Sequence, residues 1–306
     1  MEIVSVINYK GGVGKTTVTA NLAGELAFRG KKVLLLDMDA QASLTFSFVA
    51  PDFWDSDLQE NKTIKNWFDS ISQGTSPTPL SELVMKPEKV NEFLVRRGTG
   101  GEIGLISSHL GLINVDLELA TLLGGANMTQ TKRNYIKVHG NLRKEIQALS
   151  ESGYDIILID CPPNFNIVTK NALVASDRIL VPAKPDYLST LGIDYLFRSV
   201  DTLVSEFNEY SDGDNISSNV LGVIFTMIQF YDDKPINAQK QYISQTKRLG
   251  KAPVLNSTFR ENKTIFADAP QNNMPVVLNG YNNGTHNNVV SEIEAFVDEF
   301  CSITGI

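Results

Sequence analysis

The feature that most constrains the fold of this chain is the glycine-rich segment 8–17, which reads Asn-Tyr-Lys-Gly-Gly-Val-Gly-Lys-Thr-Thr. The run before it, residues 3–7, is short, apolar and rich in β-branched side chains, as expected of a buried strand. Residues 16–28, which follow it, repeat apolar side chains at helical spacing. A strand, a glycine loop and a helix together present backbone N–H groups and a helix N-terminus to a phosphate chain. The segment therefore predicts a nucleotide site.

The side chains of this loop suggest separate roles. We expect Lys15 to lie along the β- and γ-phosphates, and the hydroxyl of Thr16 to ligate Mg²⁺. The usual Walker A pattern, G-x-x-x-x-G-K-[ST], fails at its first position, where Tyr9 stands. A second lysine, Lys10, precedes the glycines instead. A glycine turn with chance lysines is the alternative interpretation, and the flanking strand and helix argue against it.

The stretch KGGVGKTT resembles the deviant Walker A motif of the ParA/MinD family of ATPases. The resemblance implies ATP and Mg²⁺ as ligands. It also implies an ATP-dependent homodimer, in which Lys10 reaches the nucleotide bound by the other subunit. The residues expected to bind the nucleotide are Lys10, Gly11, Gly12, Val13, Gly14, Lys15, Thr16 and Thr17.

Two further apolar runs end in carboxylates. Residues 31–37 lead into Asp37-Met-Asp39, and residues 155–160 end in Asp160. Parallel strands place ligands at their carboxyl ends, and a carboxylate after an apolar strand is the Walker B arrangement that holds Mg²⁺. By the resemblance, Asp39 positions the attacking water and Asp37 supports the magnesium and the loop. The predicted catalytic residues are Lys10, Lys15 and Asp39, and the predicted metal site is Thr16, Asp37 and Asp160.

The adenine pocket is placed by the resemblance alone. In the family it begins where the strand predicted at 220–225 ends, at Thr226 and Met227. A later loop completes it, and the residues that match this loop are Phe259, Arg260 and Asn262.

The remaining pattern predicts the fold class. Other runs of strand length occur at 103–109 and 177–182, and helical patterns occur at 63–71, 112–123, 132–149, 190–207 and 289–303. We expect Leu191 to be among the buried residues of the fourth of these helices. Strands that are apolar on both faces indicate a mostly parallel, twisted sheet with helices on both faces. The sequence therefore predicts a single α/β domain over residues 1–306, a P-loop NTPase of the deviant Walker A type.

The formal net charge of −8 argues against a uniformly basic nucleic-acid binder. A local basic cluster remains, formed by Lys234, Lys240, Lys247, Arg248, Lys251 and Lys263. The family binds double-stranded DNA without sequence preference, so this cluster is the candidate DNA face. A solvated helix face is an equally good interpretation.

By the resemblance, the chain is a ParA-like ATPase that segregates plasmid or chromosomal DNA, or positions another large cargo. Its hydrolysis is expected to be slow until a ParB-like activator stimulates it. We expect a cytoplasmic protein, associated with the nucleoid if it binds DNA, because no apolar run is long enough to cross a bilayer.

Three alternatives compete with this interpretation. The first is a regulatory or metabolic ATPase of the same fold without DNA binding. The second is a MinD-like membrane positioner, but the helix 289–303 is acidic and anionic lipid would repel it. The third is an iron–sulfur relative, which needs two suitably placed cysteines, whereas Cys161 adjoins Asp160 and Cys301 lies in the last helix.

Overall fold

The computed structural model of the chain describes residues 1–217, 219–231, 234–280 and 284–306. The strands are β1 Glu2–Val6, β2 Lys32–Asp37, β3 Glu102–Ile106, β4 Ile156–Asp160, β5 Arg178–Ala183, β6 Asn219–Ile228, β7 Phe230–Tyr231, β8 Lys234–Pro235 and β9 Val254–Arg260. The helices before β4 are α1 Lys15–Phe28, α2 Ser43–Phe48, α3 Pro51–Phe53, α4 Ile64–Ser72, α5 Leu80–Leu83, α6 Glu88–Arg97, α7 Leu112–Ala120 and α8 Met128–Ala148. Those after it are α9 Ile167–Ala175, α10 Tyr187–Tyr210, α11 Asn237–Leu249, α12 Lys263–Gln271 and α13 Gly284–Thr304.

In the part of the chain that is described, seven strands form one sheet in the order β3-β2-β4-β1-β5-β6-β9, and all their pairings are parallel. β1 is central, so the glycine loop that follows it opens at the carboxyl edge of the sheet between two neighbouring strands. Such crevices are where open α/β sheets bind ligands.

Helices cover both faces of the sheet because alternate residues of each strand point to opposite sides. In β2, Leu34 and Leu36 join the core beneath α4 and α7–α10, whereas Val33 and Leu35 join the core beneath α1 and α13. The predicted α/β fold, with a parallel sheet and helices on both faces, is confirmed.

Three expectations about individual elements were wrong. Leu191 is 57% exposed, because it lies on the side of α10 opposite the buried stripe. That stripe consists of Ile193, Leu196, Phe197, Val200, Leu203 and Phe207. β6 continues to Ile228, beyond the predicted strand end at Thr226 and Met227. Phe259 and Arg260 belong to β9, a strand at the sheet edge, and not to a loop.

The closing helix, α13, packs on the body of the protein. Ile293, Val297 and Phe300 are fully buried in the core that also contains α1. The Glu299 carboxylate accepts hydrogen bonds from the backbone N–H groups of Asn256, at 2.8 Å, and Ser257, at 2.8 Å. These contacts give the helix a structural role. Among the described helices, none has the length and apolar character needed to span a bilayer.

Candidate nucleotide site

The loop between β1 and α1 has a backbone that only glycine adopts easily. Gly12 has φ +68° and Gly14 has φ +80°, both in the left-handed region. Two contacts hold the loop in place: the hydroxyl of Thr226 donates to the carbonyl of Val13 at 2.8 Å, and the amide of Asn8 donates to the carbonyl of Pro182 at 2.7 Å. These two hydrogen bonds tie the loop to the neighbouring strands β5 and β6.

Lys15 is a buried cation at the start of α1. Its side chain is 7% exposed, and its one hydrogen bond within the described residues is to the carbonyl of Lys10, at 3.4 Å. Burial lowers the pKa of Lys15, and the nearby charges of Asp160 and Asp39 oppose that change. A buried ammonium with spare donors is costly unless an anion pairs with it, and the phosphates of a nucleotide would provide that anion.

Asp37 and Asp160 are register partners at the carboxyl ends of β2 and β4, and both are buried. The Thr16 hydroxyl donates to Oδ2 of Asp160 at 2.7 Å. Burial raises the pKa of Asp160, and the charge of Asp37 raises it further.

In the described residues, no group of three or more His, Cys, Asp or Glu side chains could enclose a metal ion. Mg²⁺ needs no such cage, because it commonly takes one or two carboxylates together with substrate phosphates, so these residues fit that ion.

Asp37 also fixes the position of Asp39. Oδ2 of Asp37 accepts the backbone N–H of Thr45 at 2.8 Å and its hydroxyl at 2.7 Å, while Oδ1 accepts the backbone N–H of Asp39 at 3.2 Å. The Ser108 hydroxyl donates to the carbonyl of Asp39 at 2.6 Å. Asp39 is thus held with its side chain in the lining of the cavity above the glycine loop.

That cavity has a volume of about 440 Å³ and adjoins a second of about 260 Å³. The second brings together all the residues predicted to surround adenine: Thr226, Met227, Phe259, Arg260 and Asn262. Phe266, on α12, lines both cavities and was missed, because a lone phenylalanine in a helical pattern resembles an ordinary core residue.

Arg260 is already paired in this arrangement. Its Nε lies 2.8 Å from Oε1 of Glu292, and its guanidinium stacks 4.9 Å from the centre of the Phe230 ring. The backbone N–H of Arg260 also donates to Oε2 of Glu292, at 2.9 Å, so both the side chain and the backbone N–H of this residue already have partners.

Lys10 is absent from the lining of either cavity. Its ammonium lies 2.7 Å from Oδ2 of Asp186, the residue that caps the N-terminus of α10. Asp186 was missed by the sequence analysis. The signal that could have identified it is an Asp, a favoured N-cap residue, four positions before the helical pattern predicted at 190–207.

The predicted basic cluster is divided by its ion pairs. Lys251 pairs with Asp194, and Lys263 lies 3.7 Å from Glu261. The members on α11, which are Lys240, Lys247 and Arg248, are exposed and have no ion pair among the described residues. Lys234, on β8, is also exposed and has no ion pair among the described residues, so three of the four unpaired cations of this cluster lie on α11.

Comparison with known proteins supports the motif assignment. The chain is 25% identical over 277 residues to the sporulation initiation inhibitor protein Soj of Bacillus subtilis, covering 90% of each chain. It is 25% identical over 279 residues to the chromosome partitioning protein ParA of Caulobacter vibrioides, covering 91% of this chain and 87% of that one. Its fold matches that of a Cyanothece McdA variant in complex with ATP, with a TM-score of 0.69 at 19% identity, over 98% of this chain and 96% of that one.

A family model described as an AAA domain matches residues 1–211, which is more than half of the chain. The chain therefore belongs to this AAA domain family, AAA_31, and its resemblance to the ParA-like ATPases is confirmed.

Proposed function

We propose that this protein binds ATP with Mg²⁺, hydrolyses it slowly, and works as a switch that partitions DNA or another large cargo. The observation that best supports the proposal is the buried ammonium of Lys15, which interacts with the charges of buried Asp160 and half-buried Asp39 next to a glycine loop with preset geometry. Relatives of this chain that match it over about nine-tenths of its length carry partitioning in their names.

The residues of the loop bind and orient the phosphates. Lys15 and the N–H groups at the start of α1 offset the charge of the β- and γ-phosphates. Mg²⁺, held by Thr16 and Asp160, would neutralise the charge that develops on the phosphate oxygens. Asp39 accepts a hydrogen bond from the attacking water and orients it toward the γ-phosphorus. The new bond forms from the water oxygen to that phosphorus as the bond from phosphorus to the bridging oxygen of ADP breaks, and the proton of the water passes to the released phosphate or to solvent.

A second copy of this chain completes the site in the proposal. Lys10 would leave Asp186 and reach the nucleotide of the facing subunit. The surface beside Asp186 suits such a contact, because four large side chains on the outer side of α10 are more than half exposed: Tyr187, Leu188, Leu191 and Tyr195. An exposed apolar patch of this kind commonly marks a protein interface.

The ATP-bound dimer would hold double-stranded DNA without sequence preference through α11, where Lys240, Lys247 and Arg248 stand exposed. A ParB-like activator bound to the cargo would then trigger hydrolysis and reopen the dimer. In this proposal the protein is cytoplasmic and associates with the nucleoid while ATP is bound.

The test is the Asp39→Ala variant, with exposed Asp55→Ala as the control. The Asp39 variant should retain ATP and accumulate as a dimer in light scattering, while its hydrolysis falls by about 10²-fold or more, since water positioning is lost. The control should behave as the wild type does. Turnover of the Asp39 variant at the wild-type rate would contradict the role proposed for Asp39.

DNA binding separates this function from that of a regulatory or metabolic ATPase. Fluorescence anisotropy on unrelated duplexes should show binding with ATP and little with ADP or without nucleotide. Equal, weak binding in all three conditions would favour an ATPase that does not act on DNA.

A further inference from the structure

Helix α8, Met128–Ala148, is strongly basic in an acidic chain. Its sequence, MTQTKRNYIKVHGNLRKEIQA, carries five Lys and Arg residues and one Glu, whereas the whole chain has a net charge of −8. Neither the nucleotide site nor the predicted basic cluster includes this helix. Its apolar side, which contains Val138, Leu142 and Ile146, is buried.

Two of the five cations have structural roles. Lys132 pairs with Glu209 on α10 at 3.2 Å, and Arg143 lies 3.5 Å from Asp214 just after that helix. Tyr135 adds a hydrogen bond of 3.0 Å to Glu206. These contacts join one side of α8 to α10 and explain why cations stand at positions 132 and 143.

The other three cations, Arg133, Lys137 and Lys144, are exposed and have no ion pair among the residues described. They are spaced by four and by seven residues, so they form a stripe along one face of α8. At about 1.5 Å of rise per residue, the stripe is roughly 16 Å long. We call these three residues the α8 stripe.

A small cavity of about 200 Å³ adjoins the stripe. Lys137, Asn141 and Lys144 line it together with Thr75 and Trp67, and Glu145 is also in its lining. The Trp67 side chain is buried, and its indole N–H has no hydrogen-bond acceptor in the described part of the chain. The cavity thus combines two ammonium groups with amide and hydroxyl donors, which is chemistry suited to an anion, whereas the indole nitrogen of Trp67 is itself inaccessible.

We propose that the α8 stripe contacts the phosphate backbone of duplex DNA, as a second surface separate from α11. Duplex DNA presents about one charge per 1.7 Å, so three cations spread over this length can each meet a phosphate. The inference rests on the proposed function, because it gives the DNA of that function a further contact.

Other occupants suit the stripe less well. A protein partner is usually anchored by exposed aromatic or other large side chains. Polar Gln130 and Asn141 flank the stripe on one side, and Ile136, Phe207 and Tyr210, which share a cavity with it, are half-buried or buried. A membrane-surface helix must expose its apolar side, and the apolar side of α8 is buried in the core. Polar side chains beside cations are what commonly meet phosphate oxygens.

The test compares the stripe variant Arg133→Gln, Lys137→Gln, Lys144→Gln with a charge-matched control, Lys62→Gln, Lys89→Gln, Arg96→Gln, in which three exposed cations elsewhere are removed. DNA affinity is measured by anisotropy with ATP over a range of salt. The slope measured is that of log binding constant against log salt concentration. Each phosphate contact contributes about 0.9 to its magnitude, so the stripe variant should lose about 2 to 3 units, and the control should keep the wild-type slope. ATP hydrolysis without DNA should be unchanged in both.

A second variant, Lys137→Arg with Lys144→Arg, keeps both positive charges. If the stripe acts through phosphate contacts, this variant should bind DNA as the wild type does. A wild-type slope in the stripe variant, with binding lost instead in Lys240→Gln, Lys247→Gln, Arg248→Gln, would overturn the inference and leave the proposed function standing. Equal losses in the stripe variant and its control would also overturn it. Absence of DNA binding by the wild type would overturn both. If the stripe variant binds DNA normally but loses polyglutamate, the stripe belongs to an acidic protein partner and the inference is wrong.

Discussion

The ammonium of Lys10 and the carboxylate of Asp186 form an ion pair of 2.7 Å across 176 positions of the chain. Asp186 also caps α10, because its Oδ1 accepts the backbone N–H of Ser189 at 2.8 Å. Burial alone would raise the pKa of Asp186, but the hydrogen bonds from Lys10 and Ser189 outweigh it and hold this pKa below its ordinary value. The lysine that distinguishes the phosphate loop is thus tied to the start of α10 in its own subunit.

Asp186→Asn should favour the ATP-bound dimer. Asparagine is also a good N-cap, so α10 should keep its start, while Lys10 loses its charged partner and becomes free to cross the interface. The two side chains are 34% and 41% exposed, and ion pairs of this exposure contribute only about 0.2–1 kcal/mol. Each dimer releases two such lysines, so the dimer dissociation constant, measured by sedimentation with ATP, should fall by about two- to thirty-fold.

The matched control for this variant is Glu92→Gln, which breaks the exposed pair between Glu92 and Arg96 on α6. The control should leave the dimer dissociation constant unchanged. A weaker dimer in Asp186→Asn would mean that Asp186 stabilises the closed state instead of restraining Lys10.

Lys15→Ala should abolish ATP binding. The variant removes the one buried ammonium that this loop offers to the phosphates, and charge-assisted contacts of that kind contribute strongly in a buried site. Titration calorimetry should show affinity reduced by at least about 10²-fold, while the exposed control Lys240→Ala should bind as the wild type does. Unchanged affinity in Lys15→Ala would contradict the phosphate-binding role of the loop.

Gly101→Ala should destabilise the fold. A Cβ at position 101 would lie within van der Waals overlap of the carbonyl of Ala27, and backbone on both sides leaves little room to relax. Gly192→Ala on α10 is the control, because its Cβ would meet nothing within 4 Å and alanine favours a helix by about 1 kcal/mol. Urea unfolding should show a loss of more than about 2 kcal/mol for the first and a gain for the second.

The parts of the site that the sequence predicts are those in which one local segment determines the geometry. The glycines at 12 and 14 adopt positive φ, as a loop that approaches phosphates requires, and Asp160 ends an apolar strand as the Walker B pattern does. In each case neighbouring residues in the sequence are also neighbours in space.

The parts that sequence analysis missed depend on contacts between distant segments. The partner of Lys10 is 176 positions away, and the partner of Arg260 lies on α13. The exposure of Leu191 depends on how α10 is rotated against the sheet, and periodicity alone admits more than one rotation. The α8 stripe also depends on distant contacts, because ion pairs with Glu209 and Asp214 distinguish Lys132 and Arg143 from the other three cations of that helix.

His139 on α8 should make the stability of the fold depend on pH. Its imidazole is buried, its Nδ1 has no hydrogen-bond partner in the described part of the chain, and the Tyr135 ring lies 4.4 Å away. Burial lowers the pKa of His139 to about 4, and the charge of Lys170 acts in the same direction. The unfolded chain, with a histidine pKa near 6.5, therefore binds this proton more tightly than the folded chain does.

Between those two pKa values, a falling pH favours the unfolded state. The stability contributed by the neutral imidazole is fully present above about pH 6.5 and is lost progressively toward pH 4, by about 2 kcal/mol between pH 7 and pH 5. Other groups also titrate in this range, so the measured quantity is the difference between the wild type and His139→Leu in urea unfolding at the two pH values. The variant should lose less stability on acidification by about that amount. Burial and the charge of Lys65 also lower the pKa of His109, so His109→Gln should change the difference in the same direction but by less, because this histidine is only half-buried. Identical pH dependence in the wild type and His139→Leu would show that His139 is protonated as readily in the folded protein as in the unfolded chain.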